Sequence, residues 1–191
     1  MSPVTHFLAG WLVANSADLN RRERVLVTIA GVIPDVDGLG LIAELATRHS
    51  ANPLNWWSEF HHLLGHNITF CALVAALAFA LARRRWLTAA LVAFSFHLHL
   101  LGDIAGARGP DGHQWPIPYL FPFSKTWQIT WDGQWPLNGW PNMLLTALAL
   151  GATLFLAWRR GFSPLEMFSS RADRALVETL RKRFPKHSSV A

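Results

Sequence analysis

The sequence is short of charged residues, cysteine and tyrosine. Of its 191 residues, 15% are charged, and it holds one cysteine and one tyrosine. An average soluble domain carries about 25% charged residues, so this composition is not typical of one. The single cysteine, Cys71, excludes an internal disulfide and a zinc site made of several thiolates. A metal site in this chain would therefore be built from histidine and carboxylate ligands.

Apolar residues and tryptophan are abundant. Hydrophobic residues make up 51% of the chain, which contains ten tryptophans, and tryptophan is enriched at membrane–water interfaces. These features favour a membrane protein; the alternative is a soluble domain with deeply buried helices. The net charge of +5 comes from short clusters at predicted helix ends, which suit anionic lipid headgroups better than nucleic acid. We therefore expect membrane lipids as partners and do not expect nucleic acid.

The helical spacing of apolar residues predicts an all-α fold. No segment alternates apolar and polar residues for long enough to predict a strand. We expect an antiparallel bundle of about five core helices in residues 1–162, followed by an amphipathic helix and basic tail in residues 163–191. A bilayer core of roughly 30 Å requires about 20 helical residues, so the third, fourth and fifth helices reach or approach a spanning length. The predicted helices cover about residues 3–16, 21–33, 60–82, 86–105, 141–158 and 164–184.

The predicted connections sort the polar residues to the two ends of the bundle. Short loops require an up-and-down arrangement, which brings the arginine clusters at residues 21–24, 83–85 and 159–160 to one end. The histidines and aspartates near the other helix ends come together opposite them. Arginines that flank apolar helices mark the cytoplasmic side of a membrane. We therefore expect the histidine and aspartate end to face away from the cytoplasm.

Two pairs of residues are the first candidates for metal ligands. His99 and Asp103 lie four residues apart, so they share one helical face in an otherwise apolar run. A buried carboxylate is unfavourable unless it is paired or binds a cation, so this pair predicts two ligands of one metal; a plain hydrogen bond is the alternative. Asp35 and Asp37 follow the end of the second helix and can bind or bridge divalent ions. One of these two carboxylates can also accept a proton from an activated water.

Further histidines and polar loop residues extend the predicted site. Helical geometry favours His62 together with His66, whereas His61 can join His66 if it precedes the first helical turn. His6 lies at the same end of the bundle and is included as a ligand, and His97 points away and is interpreted as a packing or supporting residue. In the loop after the fourth helix, Asp111 and His113 can reach the metal, and Arg108 and Lys125 can hold a phosphate.

Imidazole and carboxylate ligands without thiolate suit zinc, manganese or iron. Zinc fits a catalytic role best, because a catalytic zinc keeps an open position and lowers the pKa of its water to roughly 7.

The chain carries four short polar motifs in this order: Thr5-His6, Pro34-Asp35-x-Asp37, His61…His66 and His99-x-x-x-Asp103. In order and spacing they resemble the membrane-bound metal-dependent hydrolases, also described as LexA-binding, inner membrane-associated hydrolases. A more distant similarity is to zinc-dependent phospholipase C, an all-helical enzyme with His and Asp ligands. The resemblance covers about residues 3–125.

The resemblance also has consequences for individual residues. Family members usually carry His-Arg-Gly-x-x-His in the third motif, whereas this chain has His62 and Leu63 at the second and third positions. The resemblance implies that His61 and His66 are ligands and that His62 supports them. It further implies a hydrolase in the inner membrane, and it adds no role for residues 163–191.

Together these observations predict a hydrolase that uses a metal-activated water, with a phosphoester such as a phospholipid as its substrate. The first alternative is a metal-binding membrane protein without catalysis, for example a sensor or an accessory protein. A second alternative is a regulator that binds nucleic acid through residues 171–186, although this segment is also typical of an amphipathic helix on a lipid surface.

Overall fold

The computed structural model of the protein describes residues 1–109 and 111–185. These residues form eight α-helices and two 3₁₀ helices, and no strand occurs among them, so the predicted all-α class is confirmed. The α-helices are α1 (Pro3–Ala14), α2 (Arg21–Ala30), α3 (Gly40–Thr47), α4 (Trp56–Phe60), α5 (Ile68–Leu81), α6 (Arg85–Gly106), α7 (Trp140–Arg160) and α8 (Ser170–Arg183). The 3₁₀ helices cover Ile33–Leu39 and Pro164–Met167.

Five of the helices pack together as the predicted bundle. Helix α6 contacts α1, α2 and α5, and α1 also packs against α2 and α7. The side chains of Trp11, Val27, Val92 and Phe96 are fully buried in this packing. Helix α6 is therefore the central element, and polar residues on its inner face are enclosed by its neighbours.

The third core helix is shorter than predicted. It begins at Ile68 rather than near residue 60, and the Asn67 side chain caps its first turn. The preceding segment is irregular because it turns sharply and packs against the first 3₁₀ helix. His62 has a φ of 65°, in the left-handed region. The backbone at Gly65 passes so close to Pro34 that a Cβ there would lie 2.0 Å from its carbonyl oxygen.

The predicted helices leave the residues between 33 and 60 without secondary structure, and this prediction is wrong. These residues contain the first 3₁₀ helix together with α3 and α4. Helix α3 has no buried residue, and its Leu41, Ile42 and Leu45 are exposed. Leu41, Ile42 and Leu45 are spaced as on one helical face, but α3 has only eight residues, fewer than the roughly 11 to 18 over which a helical period is recognised.

The C-terminal amphipathic helix is divided in two. A 3₁₀ helix ends at Met167, and Ser169 then caps α8 by accepting a hydrogen bond from the backbone N–H of Ala172. The last part of the predicted basic tail, residues 186–191, lies outside the described residues.

Two helices in the described part of the chain, α6 and α7, are each long and apolar enough to cross a membrane. They have 22 and 21 residues, against the roughly 20 that a bilayer core requires. Helix α2 and the helical segment Ile33–Thr47 would also qualify together, but they are bent by 53° relative to each other. Helix α5, with 14 residues, is too short to match the expected span.

The arginine clusters meet at one end of the bundle, as predicted. The buried carboxylate of Glu23 accepts the backbone N–H groups of Arg83 and Arg84 at 3.0 and 2.8 Å. Its other oxygen accepts the N–H of Asn20 at 3.1 Å. Arg160, at the end of α7, donates a hydrogen bond to Oδ1 of Asn15, the residue that ends α1, at 3.2 Å. The Glu23 carboxylate thus caps α2 and holds the turn between α5 and α6.

Candidate metal centre

Four side chains from three parts of the chain converge at the other end of the bundle. Asp35 belongs to the 3₁₀ helix after α2, His66 to the irregular segment before α5, and His99 and Asp103 to successive turns of α6. Each contributes one ligand atom, and these four atoms all lie within 4.8 Å of one another. His66, His99 and Asp103 are almost fully buried, whereas Asp35 is partly exposed.

The spacing of the four atoms matches that of ligands around a single ion. The Nε2 atoms of His66 and His99 are 3.1 Å apart, and Asp103 Oδ2 lies 3.4 and 2.9 Å from them. Asp35 Oδ1 is 3.9 and 3.6 Å from the same two nitrogens. Ligands bound at about 2.0–2.1 Å to a tetrahedral zinc ion lie roughly 3.3 Å from one another. Two imidazole nitrogens and two carboxylate oxygens therefore surround a space of suitable size for a divalent cation.

The hydrogen bonds of the Nδ1 atoms of His66 and His99 leave the Nε2 atoms of both rings facing this space. His99 Nδ1 lies 2.9 Å from the carbonyl oxygen of Gly31, and a carbonyl only accepts, so Nδ1 carries the proton. His66 Nδ1 lies 3.2 Å from Asp37 Oδ2 and donates to that carboxylate in the same way. In the neutral rings, both Nε2 lone pairs then point at each other and at two carboxylate oxygens. This arrangement is repulsive without a positive charge between them and is typical of histidine ligands supported by an outer hydrogen bond.

Two further observations indicate that a cation belongs here. The buried atoms Asp35 Oδ2 and Asp103 Oδ2 have no hydrogen-bond partner, which is costly for a carboxylate in a protein interior. Burial lowers the pKa of His66, but hydrogen bonds and charge from Asp103 and Asp37 outweigh this and raise the pKa to about 9. The position therefore favours a positive charge, which a proton supplies in the absence of a metal ion. The residues present fit a divalent metal.

Three other predicted ligands lie one step further out. Asp37 accepts hydrogen bonds from His61 Nδ1 at 3.1 Å, from the backbone N–H of Gly65 at 2.9 Å and from His66, so both of its oxygens are occupied. His6 donates from Nε2 to Asp103 Oδ1 at 3.0 Å. The structure thus brings four of the seven predicted ligands together. His6 bonds to Asp103 and Asp37 bonds to His66, so these two residues position ligands directly. His61 bonds to Asp37 and acts through it.

His62 occupies an unusual place beside this cluster. Its side chain is buried, its ring stacks on His66 with centroids 4.2 Å apart, and its Nδ1 has no hydrogen-bond partner. Burial and the neighbouring His66 hold the pKa of His62 well below its usual value, so the ring is neutral. A left-handed backbone conformation is uncommon for residues other than glycine, although histidine adopts it more readily than most, and such conformations cluster at active sites and ligand clamps.

A pocket of about 290 Å³ opens onto the cluster. Two of the candidate ligands reach it, and its walls include aromatic rings from the segment before α5 and from the loop after α6. The residues in contact with it include Asp35, Asp103, His61, His62, Trp57 and Trp115. Neither tryptophan was predicted as a pocket residue, because an isolated tryptophan carries no spacing signal in the sequence.

Most of the chain matches a known protein family. Residues 1–171 match the model of the YdjM inner membrane protein family. The chain belongs to this family. All four candidate ligands lie within the matched range, as do α6 and α7. No curated protein and no solved structure matches the chain.

Membership of the YdjM inner membrane protein family agrees with the two candidate spans and supports a membrane location. The remaining predicted site residues lie away from the cluster. His97, on the opposite face of α6, donates from Nδ1 to the Ala93 carbonyl at 2.7 Å, and its Nε2 lies 2.8 Å from the Tyr119 hydroxyl. Both of its nitrogens are therefore engaged, Nδ1 within α6 and Nε2 with the loop.

The loop residues are likewise outside the candidate metal centre. Asp111 and His113 are exposed, and the Asp111 carboxylate accepts the backbone N–H of His113 at 3.1 Å. Arg108 donates to the carbonyl of Asp132 at 2.7 Å, and the Lys125 ammonium lies 5.6 Å from the centroid of a phenylalanine ring. None of the four is among the residues that line the pocket.

Proposed function

We propose that this inner-membrane protein is a metal-dependent hydrolase that cleaves a phosphoester, with phospholipids as candidate substrates. The observation that supports this most directly is the convergence of Asp35, His66, His99 and Asp103 beside an open pocket. A purely structural site has its ligands closed off from solvent, whereas a catalytic one keeps an accessible position. The candidate metal centre opens to the pocket on the side of Asp35, which is partly exposed.

Zinc is the metal that we propose, because His66, His99 and Asp103 supply the three protein ligands typical of a catalytic zinc, and the partly exposed side at Asp35 leaves the fourth position for water; manganese and iron accept the same ligand types. When bound, such a cation polarises a phosphoryl oxygen and lowers the pKa of water. The carboxylate of Asp35 lies at the pocket and is the candidate proton acceptor. Asp37, the other carboxylate predicted for this role, has both oxygens engaged and instead positions His66 and His61.

We further propose that the metal end faces away from the cytoplasm. The arginine clusters at the opposite end support this orientation through the positive-inside rule. The test uses single cysteines in a Cys71→Ser background, one at Arg84→Cys and one at Gly109→Cys, with a membrane-impermeant thiol reagent on intact cells. We expect labelling of the second position only. Labelling of both positions, or of the first alone, would reject the orientation.

Elemental analysis of the purified protein is the first test of function. We expect about one equivalent of metal in the wild type and its loss in His66→Ala and Asp103→Ala. His97→Ala is the matched control, since His97 is a histidine on the same part of the chain with both nitrogens engaged elsewhere.

Hydrolysis of a chromogenic phosphodiester by the metal-loaded protein then separates enzyme from binder. We expect activity in the wild type and His97→Ala, and none in His66→Ala. Stoichiometric metal without hydrolysis of any phosphoester would favour the alternative, a non-catalytic metal-binding membrane protein.

A further inference from the structure

A second cavity reaches the same candidate ligand from another side of the bundle. It has a volume of about 380 Å³ and lies between α1, α2, the first 3₁₀ helix and the start of the C-terminal segment. Asp35 lies at this cavity and also at the pocket of about 290 Å³ beside the candidate metal centre, here named the polar pocket after its lining residues Asp35, Asp103, His61 and His62. The other lining residues include Phe7, Ile29, Val36, Leu39 and Phe168.

The chemistry of this groove changes along its length. Apart from Asp35, the residues that line it are all apolar, so it offers no hydrogen-bond donor or cationic side chain for a polar headgroup. Val36 and Leu39 adjoin Asp35 in the 3₁₀ helix, whereas Phe168 belongs to the C-terminal segment. A ligand that fills both the pocket and the groove must therefore be polar where it meets Asp35 and apolar beyond it.

The far wall of the groove is held in place by an ion pair. Glu166 accepts two hydrogen bonds from the Arg24 guanidinium, at 2.7 and 2.9 Å, and both side chains of this pair are largely buried. The bidentate geometry fixes the C-terminal segment against α2. Phe168, two residues further on, is 75% exposed. The Arg24–Glu166 ion pair therefore fixes the position of Phe168, which lines the groove together with Ile29. The Phe168 ring itself is not covered by other parts of the bundle.

We propose that this groove binds an acyl chain of the phospholipid whose phosphoester lies at the candidate metal centre. This inference rests on the proposed hydrolase function and specifies its substrate class. The polar pocket and the apolar groove meet at Asp35, as the headgroup and tail of a lipid meet at the phosphoglycerol region. Each methylene buried from water favours binding about fourfold, so a groove of this kind selects a long-chain ester over a short one in dilute solution.

The first experiment measures binding without requiring catalysis. The full-length, metal-loaded protein in detergent is irradiated with a phospholipid that carries a diazirine near the end of one acyl chain, and the label is mapped by mass spectrometry. We expect label on the groove residues, and we expect Ile29→Trp, which fills the groove, to reduce it by about the fourfold effect of displacing one methylene or more. Leu148→Trp is the matched control, because Leu148 is an exposed leucine on α7 outside the groove.

The labelling result can overturn the inference directly. Equal labelling of the wild type and Ile29→Trp would do so, and so would label spread evenly over α7 or seated in the separate apolar cavity lined by Ala9, Leu101 and Ala149. Metal content is measured in parallel and is expected to be the same in all three proteins, since neither Ile29 nor Leu148 belongs to the cluster of candidate ligands.

The second experiment distinguishes this inference from the proposed function. We expect Ile29→Trp to lower the ratio of kcat/KM for a long-chain phospholipid to kcat/KM for a small soluble phosphodiester about fifteenfold, equivalent to roughly two buried methylenes. An equal loss on both substrates would overturn the groove assignment while the hydrolase function survived. If neither substrate is hydrolysed but Ile29→Trp still blocks labelling, the proposed function fails and the acyl-chain site stands.

Discussion

The two ends of the bundle both bury a carboxylate, but they treat it in opposite ways. At the arginine end, Glu23 is buried with both oxygens accepting backbone N–H groups from α2 and the turn before α6. At the metal end, Asp103 is buried with one oxygen that no hydrogen bond satisfies. A carboxylate satisfied by backbone donors is a structural element, whereas one with an unsatisfied oxygen facing two imidazoles is typical of a cation-binding site.

The histidine and arginine content of the two ends follows the same division. The arginine side chains at residues 21, 22, 83 and 84 are exposed, as expected for charges at a lipid headgroup layer. The imidazoles of His6, His66 and His99 are enclosed, and each has a partner for at least one nitrogen. One end of the protein therefore interacts through its surface, and the other through its interior.

The largest expected effect comes from removing the unsatisfied oxygen. Asp103→Asn keeps the shape of the side chain but removes its charge, so we expect a loss of metal affinity beyond the roughly 10- to 100-fold that follows loss of an outer partner. Metal content after gel filtration is the measurement. Glu23→Gln is the matched change at the other end and should retain the full metal content. Equal metal in the two variants would erase the distinction between the two carboxylates.

Removal of the metal should loosen one end of the bundle alone. At a hundredfold excess over Kd, a bound ion stabilises the folded state by about 2.7 kcal/mol. With a chelator we therefore expect a lower unfolding temperature, and faster hydrogen exchange in Ile33–Leu39 and residues 61–67, which the ligands hold together. Exchange in residues 15–24 and 82–86 should not change. Uniformly faster exchange would contradict a local metal centre.

The structural carboxylate should affect stability without affecting metal. Glu23→Ala leaves the backbone N–H groups of Asn20, Arg83 and Arg84 without their acceptor, which we expect to lower the free energy of unfolding by about 2 kcal/mol. Thermal unfolding in detergent measures this. Glu178→Ala, at an exposed glutamate of α8, is the control and should change stability by less than about 0.5 kcal/mol. A neutral result for Glu23→Ala would remove its assigned role.

The smallest expected effect is at His62. Asparagine tolerates the left-handed conformation, which costs other residues about 1–2 kcal/mol, so His62→Asn should gain backbone stability and lose ring stacking. We expect a net change within about 1 kcal/mol and unchanged metal content, measured by thermal unfolding and elemental analysis. Loss of the metal in this variant would show that His62 is itself a ligand, in conflict with the four-residue cluster.

Local sequence patterns were sufficient for much of the candidate site. His99 and Asp103 are placed on one face by the helical repeat alone, so their pairing followed directly from their spacing. The position of His66 near them followed from the up-and-down topology. The choice among His61, His62 and His66 was less accessible, because it depends on an irregular segment whose path is set by contacts with Pro34 and by the Asn67 cap.

The sequence could not show that Asp35 belongs to the cluster of candidate ligands whereas Asp37 supports the histidines. Both follow the same helix end and have the same chemistry. The 3₁₀ turn directs Asp37 inward to three donors and leaves Asp35 between the polar pocket and the apolar groove. Similarly, α3 was not predicted because its eight residues are too few for a helical period to be recognised.

The sequence by itself determined the all-α class, the long apolar helices, the two polar ends and the candidate ligand types, because helical periodicity, composition and short loops act locally along the chain. Only the tertiary structure decided which four side chains surround a common point, which histidine nitrogens face it, and that an apolar groove meets the same carboxylate. Those features depend on contacts between residues far apart in sequence, and a displacement of a few ångströms, which no local pattern encodes, separates a ligand from a supporting residue.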